Sequence, residues 1–212
     1  MEILKRVFSF EGIEGCGKSS AIQGVKQHLE SKGHRVEIYR EPGSTQLGES
    51  VRNILLDKNL PKNPWSEFYL FLAARQELIS TIVKPNLKSN PKLIILLDRY
   101  HDSSLAYQGC GRGLGVDTLL KLIESSSLNC WPEARFYLSI SWEISLERQA
   151  KRGSDKDYFE QEEKSFFQKV IAGYEDILKR HSDHFFKMDA SRSPEQIVEE
   201  IVEKIAHKIE SQ

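Results

Sequence analysis

Residues 12–19 read Gly12-Ile13-Glu14-Gly15-Cys16-Gly17-Lys18-Ser19, the spacing G-x-x-x-x-G-K-[ST], directly after the apolar run Val7-Phe8-Ser9-Phe10. Glycines at these positions let successive backbone N–H groups turn inward, and a helix starting here adds the positive end of its dipole, so that the segment surrounds phosphate oxygens. Lys18 would bring a mobile cation to the β- and γ-phosphates, and Ser19 a hydroxyl ligand for Mg2+. A glycine-rich turn that merely joins a strand to a helix is the plain alternative. The match at all eight positions, with an apolar strand in front, argues against it. The chain is expected to bind a nucleoside triphosphate.

A second chemical feature is Asp98, which ends the continuous apolar run Leu93-Ile94-Ile95-Leu96-Leu97. Folds that carry such a loop place a carboxylate at this kind of strand end to hold Mg2+, directly or through water. Capping of the following segment is the other role open to Asp98.

These residues need a scaffold, and the hydrophobic pattern supplies one. After the loop, a helix from Ser19 to about Glu30 carries Ala21, Ile22, Val25 and Leu29 on one face, and Val36-Glu37-Ile38-Tyr39 reads as a second strand. The turn Arg40 to Thr45 breaks the pattern, and Leu47, Val51, Ile54 and Leu55 resume it at helical spacing. Residues 66–83 are apolar around much of their circumference, as in a long, largely buried helix, with Arg75 as a conspicuous charge. The run 93–97 is that of a parallel strand covered on both faces. A polar, glycine-bearing segment from Ser103 to Gly115 follows, then a helix over 116–123 and a strand over 135–140. Beyond these come helices over 143–152 and 166–178, a short strand over 185–188 and a closing amphipathic helix over 194–209. Five strands alternating with helices predict an α/β fold, a doubly wound five-stranded parallel sheet flanked by helices.

At 212 residues and 39% hydrophobic, the chain has material for one such domain, 1–212. Thirty basic residues against 31 acidic ones give a formal charge of −1, so no overall field draws it to nucleic acid or an anionic membrane. Any phosphate affinity must be local. Cys16, Cys110 and Cys130 are odd in number and far apart, and read as free thiols of a reducing compartment. With no signal-peptide pattern or membrane-length apolar run, a cytoplasmic location is expected.

The segment Asp98-Arg99-Tyr100-His101-Asp102-Ser103-Ser104-Leu105-Ala106-Tyr107-Gln108-Gly109 resembles the D-R-[YH]-x-x-S-x-x-A-Y-Q-G signature of thymidylate kinases. The loop Phe10-Glu11-Gly12 to Ser20, the turn Arg40-Glu41-Pro42-Gly43-x-Thr45 and the helix segment Phe71-x-Ala73-x-Arg75 match the same family in the same order. The resemblance implies a P-loop kinase that converts dTMP and ATP to dTDP and ADP with Mg2+. It also implies roles by position. Residues 12–20 (Gly12, Ile13, Glu14, Gly15, Cys16, Gly17, Lys18, Ser19, Ser20) would hold the ATP phosphates, and Ser19 and Asp98 the metal. Arg99 would grip the dTMP phosphate, a task for which a planar guanidinium is better suited than lysine. Phe71 would stack on thymine, Arg75 and Ser104 would bond its polar edge, and Pro42 would line the base pocket, with Arg40 and Gln108 beside them. Tyr107 would fill the place of a ribose 2′-hydroxyl, and Glu14 would meet the 3′-hydroxyl region. Taken singly, Phe71 and Tyr107 could be ordinary core aromatics and Arg75 a surface ion-pair partner.

Family members that lack a basic residue after the loop's acidic one take a catalytic cation from a mobile lid, and here Gly15 follows Glu14. The lid is expected at about 148–160, with Arg148 and Arg152 as the catalytic candidates and Lys151 and Lys156 behind them. A merely solvated charged surface is the alternative. The family's D-R-x-E is Asp157-Tyr158-Phe159-Glu160 in this chain, which leaves the lid arginine unassigned. The family also implies a homodimer. A regulatory GTPase would need D-x-x-G and N-K-x-D segments, which are absent. A kinase for another nucleoside monophosphate or for a deoxynucleoside, and a non-catalytic nucleotide-binding scaffold, remain as alternatives.

Overall fold

The computed structural model describes residues 1–152, 158–180 and 183–210. Among them, five strands form one parallel sheet in the order β2-β3-β1-β4-β5. The strands are β1 (Glu2–Glu11), β2 (Val36–Arg40), β3 (Ile94–Asp98), β4 (Cys130–Ser139) and β5 (Phe185–Asp189). β1 is central, with Phe10 opposite Asp98 on one side and Phe136 on the other, so the phosphate loop leaves the sheet beside the end of β3.

Alternation along the strands sends side chains to opposite faces. Phe8, Phe10, Ile94 and Leu96 pack with Ala21, Ile22, Val25 and Leu29 of α1 (Lys18–Ser31). Val7, Ile95 and Leu97 pack with Leu78, Ile79 and Val83 on the other face. Covering both faces of a parallel sheet is what makes its central strands continuously apolar. α2 (Gln46–Leu56) starts with its Thr45 side chain accepting from the Gly48 N–H, and α3 (Pro64–Leu78) with Asn63 accepting from Trp65, which satisfies N–H groups that the first helical turn leaves open. No described helix is long and apolar enough to cross a membrane, and the three cysteines are free.

Two expectations need correction. The single helix expected over 66–83 is α3, then a π-helical turn at Ile79–Val83, then α4 (Lys84–Ser89). Pro85, in the first turn of α4, has no N–H to continue the ladder, and the wider turn comes just before it. The segment 103–115, read as polar and glycine-bearing, is mostly helical and buried. α5 (His101–Ser104) runs into a π-helical stretch, Leu105–Gly111, and every residue from His101 to Gly109 is buried. The glycines here serve close packing. A Cβ on Gly111 would lie 2.6 Å from the ring of Phe166 on α8 (Lys164–Arg180). α6 (Val116–Glu124), α7 (Trp142–Arg152) and α9 (Pro194–Glu210) follow the expected pattern within a residue or two.

Candidate active site

The loop between β1 and α1 turns on glycines at positive φ: +138° at Gly12, +73° at Gly15 and +90° at Gly17. Two of them are also short of space. A Cβ on Gly12 would lie 2.7 Å from the Leu138 carbonyl oxygen, and one on Gly15 would lie 2.8 Å from that of Ser145. β4 and α7 therefore press the loop into shape from outside. Lys18 opens α1 with its amine folded back over the loop, donating to the carbonyls of Gly12 (2.9 Å) and Ile13 (3.2 Å). Ser19 and Ser20 are exposed on the first turn of the helix. Ile13 and Cys16 are buried beneath the loop and contribute packing.

Arg99 follows β3 at φ +73°, with its backbone N–H on the Phe10 carbonyl. Its guanidinium reaches four groups around the loop. Nη1 donates to the Gly12 carbonyl (2.9 Å) and Ser103 Oγ (3.1 Å); Nη2 donates to Glu14 Oε1 (2.5 Å) and Tyr107 Oη (3.4 Å). The cations of Lys18 and Arg99 thus rest on the same Gly12 oxygen. Burial alone would raise the Glu14 carboxyl, but Arg99 and Lys18 outweigh it and hold Glu14 below the usual carboxylate range. The Tyr107 hydroxyl donates to the other Glu14 oxygen at 2.7 Å.

A cleft opens beside Arg99. Glu14, Pro42, Phe71, Arg75, Arg99, Ser104, Tyr107 and Gln108 all line it, which are eight of the nine positions expected for the acceptor nucleotide. Arg40 is the ninth. Its side chain is about half exposed and pairs with Glu49 at 2.8 Å, outside the cleft. Arg75 is buried, with Nε on Glu41 (2.5 Å), Nη1 against His101 Nδ1 and Ser104 Oγ, and Nη2 on the Tyr100 carbonyl. Of its five N–H groups this leaves one on Nη2 for the cleft. Burial pushes the Glu41 carboxyl up to about 7, against the pull of Arg75.

Several lining residues had not been singled out. Phe159 lines the cleft from the far side of the lid region, its ring centroid 6.0 Å from those of Phe71 and Tyr107. Arg112 holds this arm down, bonded to Glu67 and Glu162 and set 5.5 Å from the Tyr158 ring. Glu67 also takes the Gln108 amide at 2.7 Å. Glu41, Arg52, Leu56 and Ser103 complete the lining, and the residue type at Glu41 was already visible in the turn that carries Pro42.

Arg148 lies on the opposite side of the phosphate loop. Its guanidinium donates to the Ala190 carbonyl at 2.9 Å and lines a second groove with Gly17, Ser20, Arg192 and Pro194. Lys151 is an exposed partner of Glu147. Arg152 ends α7 with its side chain outside the described residues, as Lys156 and Asp157 are altogether.

The Ser19 hydroxyl and the Asp98 carboxylate suit a hard divalent cation. Asp98 sits at the strand end opposite Phe10, across from the loop. Among the described residues no group of three or more acidic, cysteine or histidine side chains forms a closed cage. One hydroxyl and one carboxylate, with the remaining positions left to phosphate oxygens and water, is a donor set that fits Mg2+.

The thymidylate kinase family model matches residues 10–201 of the chain. A thymidylate kinase of Thermosipho africanus is 40% identical over 203 residues, covering 96% of this chain and 98% of its own length. Those of Mesoplasma florum (37% over 203 residues, 95% of each chain) and Acinetobacter baumannii strain AYE (40% over 200 residues, 93% and 98%) are similar throughout as well.

Proposed function

The chain belongs to the thymidylate kinase family, and we propose from that premise that it transfers the γ-phosphoryl group of ATP to dTMP at the cleft beside Arg99. The products are dTDP and ADP. The observation that carries the placement is the sharing of the Gly12 carbonyl by Lys18 and Arg99. Lys18 and Arg99, read here as the donor-phosphate and acceptor-phosphate cations, meet at one carbonyl, and the cleft opens beside Arg99. Phosphoryl transfer depends on aligning two anions and neutralising their charge, and this is an arrangement for doing both. Each cation exchanges a carbonyl for a phosphate oxygen as its nucleotide arrives.

Phe71 would stack on the thymine ring, with Phe159 and Pro42 lining the pocket around it, and Ser104 with the remaining Arg75 N–H would bond its polar side. Tyr107, fixed by Glu14, would fill the space a ribose hydroxyl needs. Ser19 and Asp98 would hold Mg2+, which when bound neutralises charge on the ATP phosphates. The groove with Gly17, Arg148 and Arg192 would take the rest of ATP. We assign residues 1–212 to one domain with a lid at about 148–160, and place the reaction in the cytoplasm, where thiols such as Cys16, Cys110 and Cys130 stay reduced.

A homodimer is part of the same reading. Ile54 on α2 and Tyr69 on α3 are 41% and 53% exposed, and Trp65 stacks on Tyr69 at 6.0 Å, which leaves an apolar face on two packed helices. A monomer mass in sedimentation equilibrium at micromolar concentration would remove this part. The test of the catalytic reading is Lys18→Ala, which should leave the far-UV spectrum and thermal midpoint close to wild type. Turnover of dTMP should fall by roughly 10³-fold or more, since the lost charge matters most in the transition state. Near-normal turnover would show that the loop is not the phosphoryl-donor site.

A further inference from the structure

We infer that Glu11, acting through Ser103, positions Arg99 and takes up a proton when the acceptor's phosphate docks. The inference rests on the reading of Arg99 as the ligand of that phosphate. Glu11 ends β1 one residue before the loop and is fully buried. Its Oε2 accepts from Ser103 Oγ at 2.6 Å, while Oε1 is buried with no hydrogen-bond partner. A carboxylate with one bare, desolvated oxygen is costly to ionise.

The groups facing Glu11 are Asp102 and Ser103 from α5, Arg99 ahead of that helix, Tyr174 from α8 and Ser9 from its own strand. Behind Asp102 stands Arg135 of β4, whose Nη1 donates to Asp102 at 2.8 Å. The nearby cations are thus committed, Arg135 to Asp102 and Arg99 to Glu14. Burial first, and then the charge of Asp102, raise Glu11 to about 8.

The Ser103 hydroxyl turns this into control of Arg99. Its oxygen has one proton to give and two lone pairs to fill, and three neighbours: Glu11, Tyr174 Oη at 2.8 Å and Arg99 Nη1 at 3.1 Å. With Glu11 ionised, serine gives its proton to the carboxylate and accepts from both tyrosine and arginine, so Nη1 is held. With Glu11 protonated at the bare Oε1, Oε2 still accepts from serine but as a neutral and weaker acceptor, so the serine oxygen holds Nη1 less strongly and Nη1 turns more readily to an incoming phosphate. A dianionic phosphate on Arg99 also repels a charged Glu11. Both effects raise the Glu11 pKa on binding. The sign follows: affinity for dTMP is full below about pH 8, and above it is lost by up to tenfold per pH unit until the higher pKa of the complex is passed.

The experiment compares wild type with Glu11→Gln, whose amide copies the neutral carboxyl. KM for dTMP is measured from pH 7 to 9.5, where the nucleotide phosphate, with a pKa near 6, stays dianionic. Calorimetric titration with dTMP at pH 8, in two buffers of different ionisation enthalpy, gives the proton uptake. Wild type should take up about half a proton per site, with KM rising several-fold between pH 8 and 9. Glu11→Gln should take up none and show a flat KM over that interval. Wild type without uptake, or a variant that keeps both the uptake and the rise, overturns the inference. If the variant does not fold, the wild-type calorimetry decides alone. Absence of any dTMP binding or turnover by wild type at pH 7 would instead overturn the reading of the cleft, and this inference with it.

Discussion

Arg99 binds four groups with one planar fork, and that geometry is what a lysine cannot copy. Nη1 and Nη2 divide the Gly12 carbonyl and Ser103 from Glu14 and Tyr107, and the same two nitrogens would meet two oxygens of one phosphate side by side. Arg99→Lys keeps the charge but loses the second arm. It should lower kcat/KM for dTMP by about 10²-fold, with KM for ATP little changed, because a misplacement of about 1 Å at the reacting group is worth that much. Steady-state kinetics with each substrate varied in turn checks this. Unchanged kinetics with dTMP would mean that Arg99 does not hold the acceptor's phosphate. At this scale most of the candidate site was legible, because phosphate and base recognition use residue types at fixed offsets from Gly12 and Asp98. Arg40 is the one expected acceptor-nucleotide position that does not line the cleft, since its side chain pairs with Glu49. Phe159 and Glu11 escaped notice because their surroundings come from elements distant in sequence: α3 for the first, α5 and α8 for the second.

Among the elements, α7 carries both lid arginines, Arg148 and Arg152, four residues apart. Equivalent positions on one helical face implied that both could point at the nucleotide. Arg148 is tied to the Ala190 carbonyl and faces the groove with Gly17 and Arg192, beyond the loop from the acceptor cleft. On the proposed reading it would hold ATP away from the transferred group. Arg152 is a helical turn nearer the lid, and an arginine brought to a transferring phosphoryl group is worth roughly 10³–10⁵ in turnover. Arg148→Ala should therefore raise KM for ATP about tenfold with a smaller change in kcat, and Arg152→Ala should lower kcat a hundredfold or more. Full titration of ATP against each variant separates the two. If neither variant nor the double variant departs from wild type by more than a few-fold, α7 supplies no cation to the reaction. The return arm is set differently, by Arg112 bonded to Glu67 and Glu162 with Tyr158 alongside. The buried run 101–109 explains why element type was harder to read here than in the strands. Glycine and polar residues signal a loop when solvent surrounds them, but here Gly111 gives Phe166 room and Ser103 and Ser104 are bound to side chains.

For the whole molecule, the order β2-β3-β1-β4-β5 puts the ends of β1 and β3 side by side, and that adjacency brings Lys18 and Arg99 to the same Gly12 carbonyl. The parallel sheet was readable because strands covered on both faces leave an uninterrupted apolar signature, and the strand-glycine-helix sequence of the loop fixes which end carries the chemistry. Strand order was not readable, since it depends on which faces the helices cover. The central claim is that this one cleft chooses dTMP as acceptor. Phe71, Phe159, Pro42 and Tyr107 all line it, and on the proposed reading the first three would take a pyrimidine and Tyr107 would exclude a ribose 2′-hydroxyl. The direct measurement is ADP release, by a coupled assay with ATP and Mg2+, from dTMP, dUMP, dCMP, dGMP and AMP offered separately. The prediction is a kcat/KM for dTMP at least about tenfold above that for any other acceptor. Equal rates across the series, or a purine monophosphate preferred over dTMP, would contradict it.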